Sequence, residues 1–303
     1  MGYPVPVLFL IFNRPDFTDM VFEAIAEIKP QYLYIAADGP RPDKPDDIGL
    51  CTKTRSIIER INWNCEVKTL LRDKNLGCRS AVSEAISWFF ENVSEGVILE
   101  DDCLPDKTFF PFCAELLEKY RFDNKVMSIS GSNLLPEGWK KNTQSYHLAH
   151  GGIWGWATWK RAWSLYDIEM KSWPEQETKA KIKTQLGTPE WYNSYYGMFE
   201  SSFNKSLNTW DIQWFYSILI NNGTAINPSV NLVKNIGYGN GTHTHSADDA
   251  IASLTLNAMN FPLIHPQKML LDIDYLKQVY AYLNKRYKSS ILNKALRLLK
   301  IKS

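Results

Sequence analysis

The sequence predicts an α/β fold, a mostly parallel sheet flanked by helices, on three observations. Short, continuous apolar runs recur through the first third of the chain, as strands buried on both faces of a parallel sheet do. Between them lie segments whose apolar residues fall at helical spacing. The runs also stop at Gly, Pro, Asn or Asp, residues that mark turns.

Val5 to Phe12 reads as the first strand and ends at Asn13-Arg14-Pro15-Asp16. Phe17 to Ile28 follows as a helix, with Asp16 or Thr18 suited to cap it. Tyr32 to Ala37 is a second strand, stopped by Asp38-Gly39-Pro40. A charged loop over Arg41 to Asp47 leads to a helix over Thr52 to Ile61, and Cys65 to Leu71 is the third strand. Ser80 to Phe90 reads as an amphipathic helix. The fourth strand, Val97-Ile98-Leu99, runs straight into Glu100-Asp101-Asp102.

Strand and helix alternate, which implies parallel strands joined by right-handed crossovers. Ligands of such sheets bind outside the carboxyl ends of the strands. Three of those ends carry polar side chains: Asn13 with Arg14, Asp38, and Glu100 to Asp102. Adjacent carboxylates repel one another unless solvated or offset by a cation or hydrogen-bond donors. Oxygen ligands suit hard cations such as Mg²⁺ or Mn²⁺.

Further on, Pro105 to Tyr120 reads as a helix and Val126 to Ser130 as a strand. His150-Gly151-Gly152-Ile153-Trp154-Gly155-Trp156 is rich in glycine and tryptophan. Glycine lets backbone approach a ligand, and Trp offers apolar area with one donor. Lys171 to Lys205 reads as helical. Trp210-Asp211 precedes an apolar helix, and a Gly-rich loop from Asn235 carries His243 and His245.

At 303 residues the chain has room for one large domain or two small ones. A net charge of +1 gives no global attraction for nucleic acid. The five cysteines, 51, 65, 78, 103 and 113, form no C-x-x-C pair and are odd in number. That argues against a zinc site or a disulfide framework and fits a reducing cytoplasm. No G-x-x-x-x-G-K-[ST] occurs and no G-x-G-x-x-G follows the first strand, which disfavours a P-loop NTPase or a dinucleotide-dependent enzyme. No apolar run reaches the length of a membrane span, and no signal peptide is evident. After Asp274 only basic charges remain, alternating with Ile and Leu. Such a tail either lies on an anionic membrane face or docks on the protein with its lysines in solvent.

The ordered set of segments resembles the GT-A-fold glycosyltransferases. Val97 to Asp102, followed by Pro105-Asp106 and Phe109-Phe110, resembles the Glu-Asp-Asp segment of the α-mannoside N-acetylglucosaminyltransferases. The Gly152 to Trp156 stretch, Trp210-Asp211 and the His-bearing loop follow in the same order as in those enzymes. The chain also resembles bacterial polysaccharide glycosyltransferases.

The resemblance implies a Rossmann-like, mixed sheet in a glycosyltransferase domain over 1–255. Residues 1–105 would bind the nucleotide sugar and 106–255 the acceptor, with a helical basic tail over 256–303. It implies transfer from a nucleotide-diphosphate donor, a UDP-sugar, to a glycan or lipid-linked acceptor in bacterial surface polysaccharide synthesis, with inversion.

Asp102 would bind Mn²⁺ or Mg²⁺, with His243 or His245 as a further ligand, while Glu100 and Asp101 support the donor. Asn13 would line the nucleotide site, and Arg14 and Asp38 would flank the base, Asp38 accepting from a uracil N–H. Arg79 would offset phosphate charge, Gly155 and Trp156 would face donor or acceptor, and Asp211 would be the catalytic base. The family's second acid after Trp-Asp is Ile212 here. A sugar nucleotidyltransferase shares the sheet and the metal, and a non-catalytic carbohydrate-binding protein would use only the Trp-rich stretch.

Overall fold

The computed structural model describes residues 2–136, 138–139, 143–237 and 254–284. In chain order its elements are β1 (Val7–Ile11), α1 (Pro15–Ile28), β2 (Tyr32–Ala37), α2 (Asp46–Arg55), β3 (Glu66–Leu71), α3 (Gly77–Asn92), β4 (Glu95–Glu100), β5 (Cys103–Pro105), α4 (Phe109–Lys119) and β6 (Val126–Ser130). Then come β7 (Tyr146–Ala149), β8 (Trp156–Trp159), α5 (Lys160–Trp163), α6 (Gln176–Gln185), α7 (Pro189–Phe203), α8 (Asp211–Ile220), β9 (Thr224–Pro228) and β10 (Val233–Asn235). A 3₁₀ turn extends α2 over Ser56–Arg60.

The Rossmann-like α/β class expected from the sequence is the one observed. An eight-stranded sheet runs in the order β3-β2-β1-β4-β8-β6-β9-β7, and β10 pairs with β5 beside it. The first four neighbours are parallel, β8 runs antiparallel to both β4 and β6, and β7 antiparallel to β9. From β1 the chain winds outward through β2 to β3, then returns to place β4 on β1's other side. The gap between β1 and β4 is therefore a topological switch point, where ligands of open α/β sheets bind.

Side-chain alternation sorts the core into two layers. Val7, Phe9, Ile11, Val97 and Leu99 face α1 and α4, packing on Phe22, Ile25, Phe112 and Leu116. Leu8, Leu10, Tyr34, Ala36 and Ile98 face α3 and a tryptophan cluster of Trp156, Trp163, Trp210 and Trp214. A third cluster joins α6, α7 and α8 through Trp173, Ile182, Trp191, Phe199 and Phe215.

Several local expectations shift. Arg14 takes the cap position of α1 without a side-chain cap bond, with Pro15 at the first turn, where proline's missing N–H costs nothing. The helix expected from Pro105 starts at Phe109, because β10 captures Cys103–Pro105 as a strand. The Trp-rich stretch forms β8, and the segment expected to be one helix over 171–205 is split into α6 and α7 by Gly187 (φ +75°) and Pro189.

The region from 254 is no free helical tail over its described length. Leu254, Met259 and Leu263 are buried in a strap, and a helix over 273–284 docks Tyr275, Leu276 and Val279. The basic stretch from 285 onward lies outside the described residues. No helix among the described residues is long and apolar enough to cross a membrane.

His147, on β7, is buried against Tyr275 at 4.2 Å between ring centroids, and neither ring nitrogen has a hydrogen-bond partner among the described residues. Burial lowers its pKa to about 4, and lowers that of His150 to about 3. Both stay neutral in the fold while the unfolded chain takes up protons below about 6.5. Their stabilising contribution is therefore full above that pH and declines as pH falls toward the folded values. Urea unfolding should show a loss of about 2 kcal/mol per imidazole between pH 7.5 and pH 5. His147→Leu should lose about 2 kcal/mol less over that interval, and an unchanged pH slope would contradict this.

Candidate functional site

The carboxyl ends of β1, β2, β3 and β4 and the start of α8 surround a cavity of ≈ 650 Å³. Its lining includes Arg14, Asp38, Arg41, Arg72, Asn75, Cys78, Glu100, Asp101, Asp102, Trp154, Asn235 and Asp211. The fourth strand carries its acids there because it is apolar and buried until Leu99 and pairs Leu10 with Glu100 across the switch point.

The triplet is held unevenly. Asp101 is 2% exposed, and both of its oxygens take hydrogen bonds from Arg14. Arg14 Nη1 also donates to Asp102 Oδ2 at 2.8 Å. Among the described residues Asp102 Oδ1 has only the weak Cys103 thiol donor, at 3.5 Å. Glu100 has no hydrogen-bond partner among the described residues.

Burial, with the charges of Asp102 and Asp101 beside it, raises Glu100 well above the usual carboxylate range. Burial also raises Asp101, and Arg14 draws it part of the way back. Cys78 faces the same negative field. Burial and the nearby charges of Glu100, Asp211, Asp102 and Asp38 keep it a thiol, so it supplies no nucleophile.

This donor set fits a hard divalent cation. It offers carboxylate oxygens, one of them on Asp102 nearly unpaired, in a cluster with more negative charge than Arg14 offsets. Among the described residues no three His, Cys, Asp or Glu side chains form a ready-made cage. His243 and His245 lie outside the described residues.

Asp211 opens α8 and lines the cavity. Its carboxylate's only hydrogen bond among the described residues comes from the Thr209 hydroxyl. Trp210 holds the cap position of α8, without a side-chain cap bond among the described residues. The structure thus brings Arg14, Glu100, Asp101, Asp102 and Asp211 to one cavity.

Other expected residues are placed differently. Asp38 reaches the cavity wall, but its oxygens accept from Gly39 N, Leu76 N, Gly77 N and Asn75 Nδ2, at 2.9 to 3.2 Å. That fills a carboxylate's lone pairs, so Asp38 ties the end of β2 to the start of α3 rather than accepting from a base. Arg14 is bonded to Asp101 and Asp102. Asn13 donates to Asp47 at 2.7 Å and does not line the cavity.

Arg79 turns away from the cavity to the Ile168 carbonyl at 2.6 Å and to Glu169. Trp156 is fully buried, 5.6 Å from Trp210 in a stacked pair, and Gly155 packs on Val233. Trp154 is the aromatic residue of that stretch that lines the cavity.

Arg41, Arg72 and Asn75 were missed. Each lies in the loop after β2 or β3, so the strand-end rule that found Asp38 would have found them. Arg41 is set by Asp47, which takes its Nε at 2.6 Å and its backbone N–H at 3.1 Å. Those bonds lower Asp47 to about 2.

Asp38→Ala should leave the Leu76 and Gly77 amides unpaired at the cavity wall and cost about 2 to 3 kcal/mol in urea unfolding. Asp38→Asn, which keeps one acceptor oxygen, should cost less. Native stability in Asp38→Ala would show that the loop is held by other bonds.

No protein-family profile matches the chain, and no curated protein matches it. Among solved structures, it is similar to TarS 1-349 of S. aureus, at 10% identity, with a TM-score of 0.38, over 55% of this chain and 50% of that one. It is similar to HddC from Yersinia pseudotuberculosis, at 12% identity and a TM-score of 0.30, over 52% and 77%. It is also similar to a 4-diphosphocytidyl-2C-methyl-D-erythritol synthase from Anaerococcus prevotii, at 7% identity and a TM-score of 0.34, over 92% and 99%. The match spans half the length of the TarS structure. At these identities and scores the likenesses decide neither family nor activity.

Proposed function

We propose that the chain is a divalent-cation-dependent glycosyltransferase that moves a sugar from a nucleotide-diphosphate donor, a UDP-sugar, to a glycan or lipid-linked hydroxyl, with inversion. The observation that carries this reading is the convergence of Glu100, Asp101, Asp102 and Asp211 on one cavity at the β1/β4 switch point.

Asp102 Oδ1 would hold the cation, with Glu100 beside it. When bound, Mn²⁺ or Mg²⁺ would stabilise the charge that grows on the leaving diphosphate. The cavity wall at the ends of β2 and β3, where Arg41, Arg72 and Asn75 lie, would face the nucleoside. Trp154, which also lines the cavity, would meet a sugar ring there.

In this reading Asp211 is the base. Its carboxylate is fixed on one side by Thr209, and it lies within the field of Glu100. It would take the proton from an acceptor hydroxyl as that oxygen attacks the sugar carbon and the sugar–phosphate bond breaks. The rival nucleotidyltransferase reading wants a basic, glycine-rich phosphate loop after β1. Here that turn is Asn13-Arg14-Pro15, and Asn13 and Arg14 are already bonded to carboxylates.

A panel of nucleotide sugars, with Mn²⁺ or with EDTA, tests the reading through release of free nucleotide. Metal-dependent release from at least one donor is expected. Asp102→Ala should abolish metal-dependent UDP binding. Asp211→Asn should leave that binding intact and lower transfer by about 10² or more. No metal-dependent binding or turnover of any donor would sink the enzyme reading. Pyrophosphate release from a nucleoside triphosphate and a sugar phosphate would move it to the nucleotidyltransferases.

A further inference from the structure

Arg14 stands where a bound cation would compete with it. Its guanidinium crosses the gap between β1 and β4, with two arms on Asp101 and the third, Nη1, on Asp102 Oδ2. The two grips differ. The Asp101 carboxylate is sealed in protein, with 3% of its side chain exposed, whereas that of Asp102 is 15% exposed and receives one arm. The Asp102 contact is therefore the one that can be given up at lower cost, since water or a ligand can replace it.

No other basic side chain among the described residues is bonded to the triplet. Arg41 is committed to Asp47, Arg72 to Glu84 and the Ala81 carbonyl, and Arg55 to the carbonyls of Asp38 and Arg72. The chain also passes close over this contact. A Cβ on Gly237 would lie 2.5 Å from Asp102 Oδ2 and 3.1 Å from Arg14 Nη1, so a side chain there would press on this contact. Ile236 N, one residue earlier, donates to the Asp102 carbonyl at 2.8 Å.

We propose that Arg14 is an exchangeable counter-ion. In the ligand-free protein it offsets Asp101 and Asp102. A divalent cation at Asp102 displaces the Nη1 arm, and the guanidinium, still anchored on Asp101, turns that arm to an anionic oxygen of the donor diphosphate. This rests on the metal-dependent reading above and adds a coupling to it: the cation and the Nη1 arm compete for the one Asp102 carboxylate, and releasing the arm creates the second phosphate contact. Arg14 is in this account a donor-binding residue. It sets how tightly the metal binds alone and how tightly the nucleotide binds with it.

The alternative is a permanent staple, in which Arg14 holds the acids for the metal and never leaves Asp102. The two accounts predict opposite signs. Mn²⁺ binding without nucleotide can be followed by electron paramagnetic resonance titration, and UDP binding at saturating Mn²⁺ by calorimetry. Arg14→Met removes the competing charge, so exchange predicts Mn²⁺ binding tighter by about tenfold and UDP binding weaker by about tenfold.

Arg14→Lys keeps the charge but cannot reach both carboxylates with a fork. It should shift both constants the same way by less, and it serves if the methionine variant does not fold. Mn²⁺ binding that is unchanged or weaker in the folded variants overturns exchange while leaving the metal site standing. Failure of the wild-type protein itself to bind Mn²⁺ overturns the metal-dependent reading, and exchange with it.

Discussion

The ion pairs from Arg14 to Asp101 and Asp102 close the gap at which the sheet reverses its winding order. β4 drives acids to that gap because its apolar residues must be buried on both faces, and the chain turns polar only where the sheet ends. Carboxylates placed there lose most of their water, and without a partner they would protonate or push the strand ends apart. One arginine at the end of the neighbouring strand makes the arrangement tolerable. The position of α1, which Arg14 caps, and the course of residues 235–237 are tied to the same few atoms.

The strand-end loops use carboxylates in three different ways, distinguished by how completely each is satisfied. Asp38 is saturated by amide donors and shapes a loop. Asp47 is saturated by Arg41 and Asn13, and so sets a cation at the cavity's edge. The triplet and Asp211 are incompletely satisfied: Glu100 has no partner among the described residues, Asp102 has one oxygen nearly free, and Asp211 is held at one oxygen. Unspent acceptor capacity in a cavity is what chemistry needs and what a purely structural acid lacks.

The alternation of buried runs and amphipathic helices up to Glu100 was legible because it depends on local period, which sequence displays directly. The convergence of Arg14 and the triplet was legible for a related reason: the strand-end rule turns order along the chain into nearness in space. What could not be read depends on which partner a side chain meets. Asp38 looks like a free acid until the amides of Leu76 and Gly77 arrive from far along the chain. Arg79 leads a helix beside the cavity yet turns to Ile168. Trp156 and Trp154 are near neighbours in sequence, but β8 buries one against Trp210 and leaves the other on the cavity wall. β8 itself was hidden, since Trp156-Ala157-Thr158-Trp159 is buried on both faces and shows no alternation.

A crystal structure of the protein grown with UDP and MnCl₂ bears most directly on the central claim. The account predicts an anomalous peak for manganese beside Asp102, with diphosphate oxygens completing its coordination and the uridine running toward Arg41 and Asn75. Manganese bound away from the triplet, or a nucleotide bound outside this cavity, would contradict it.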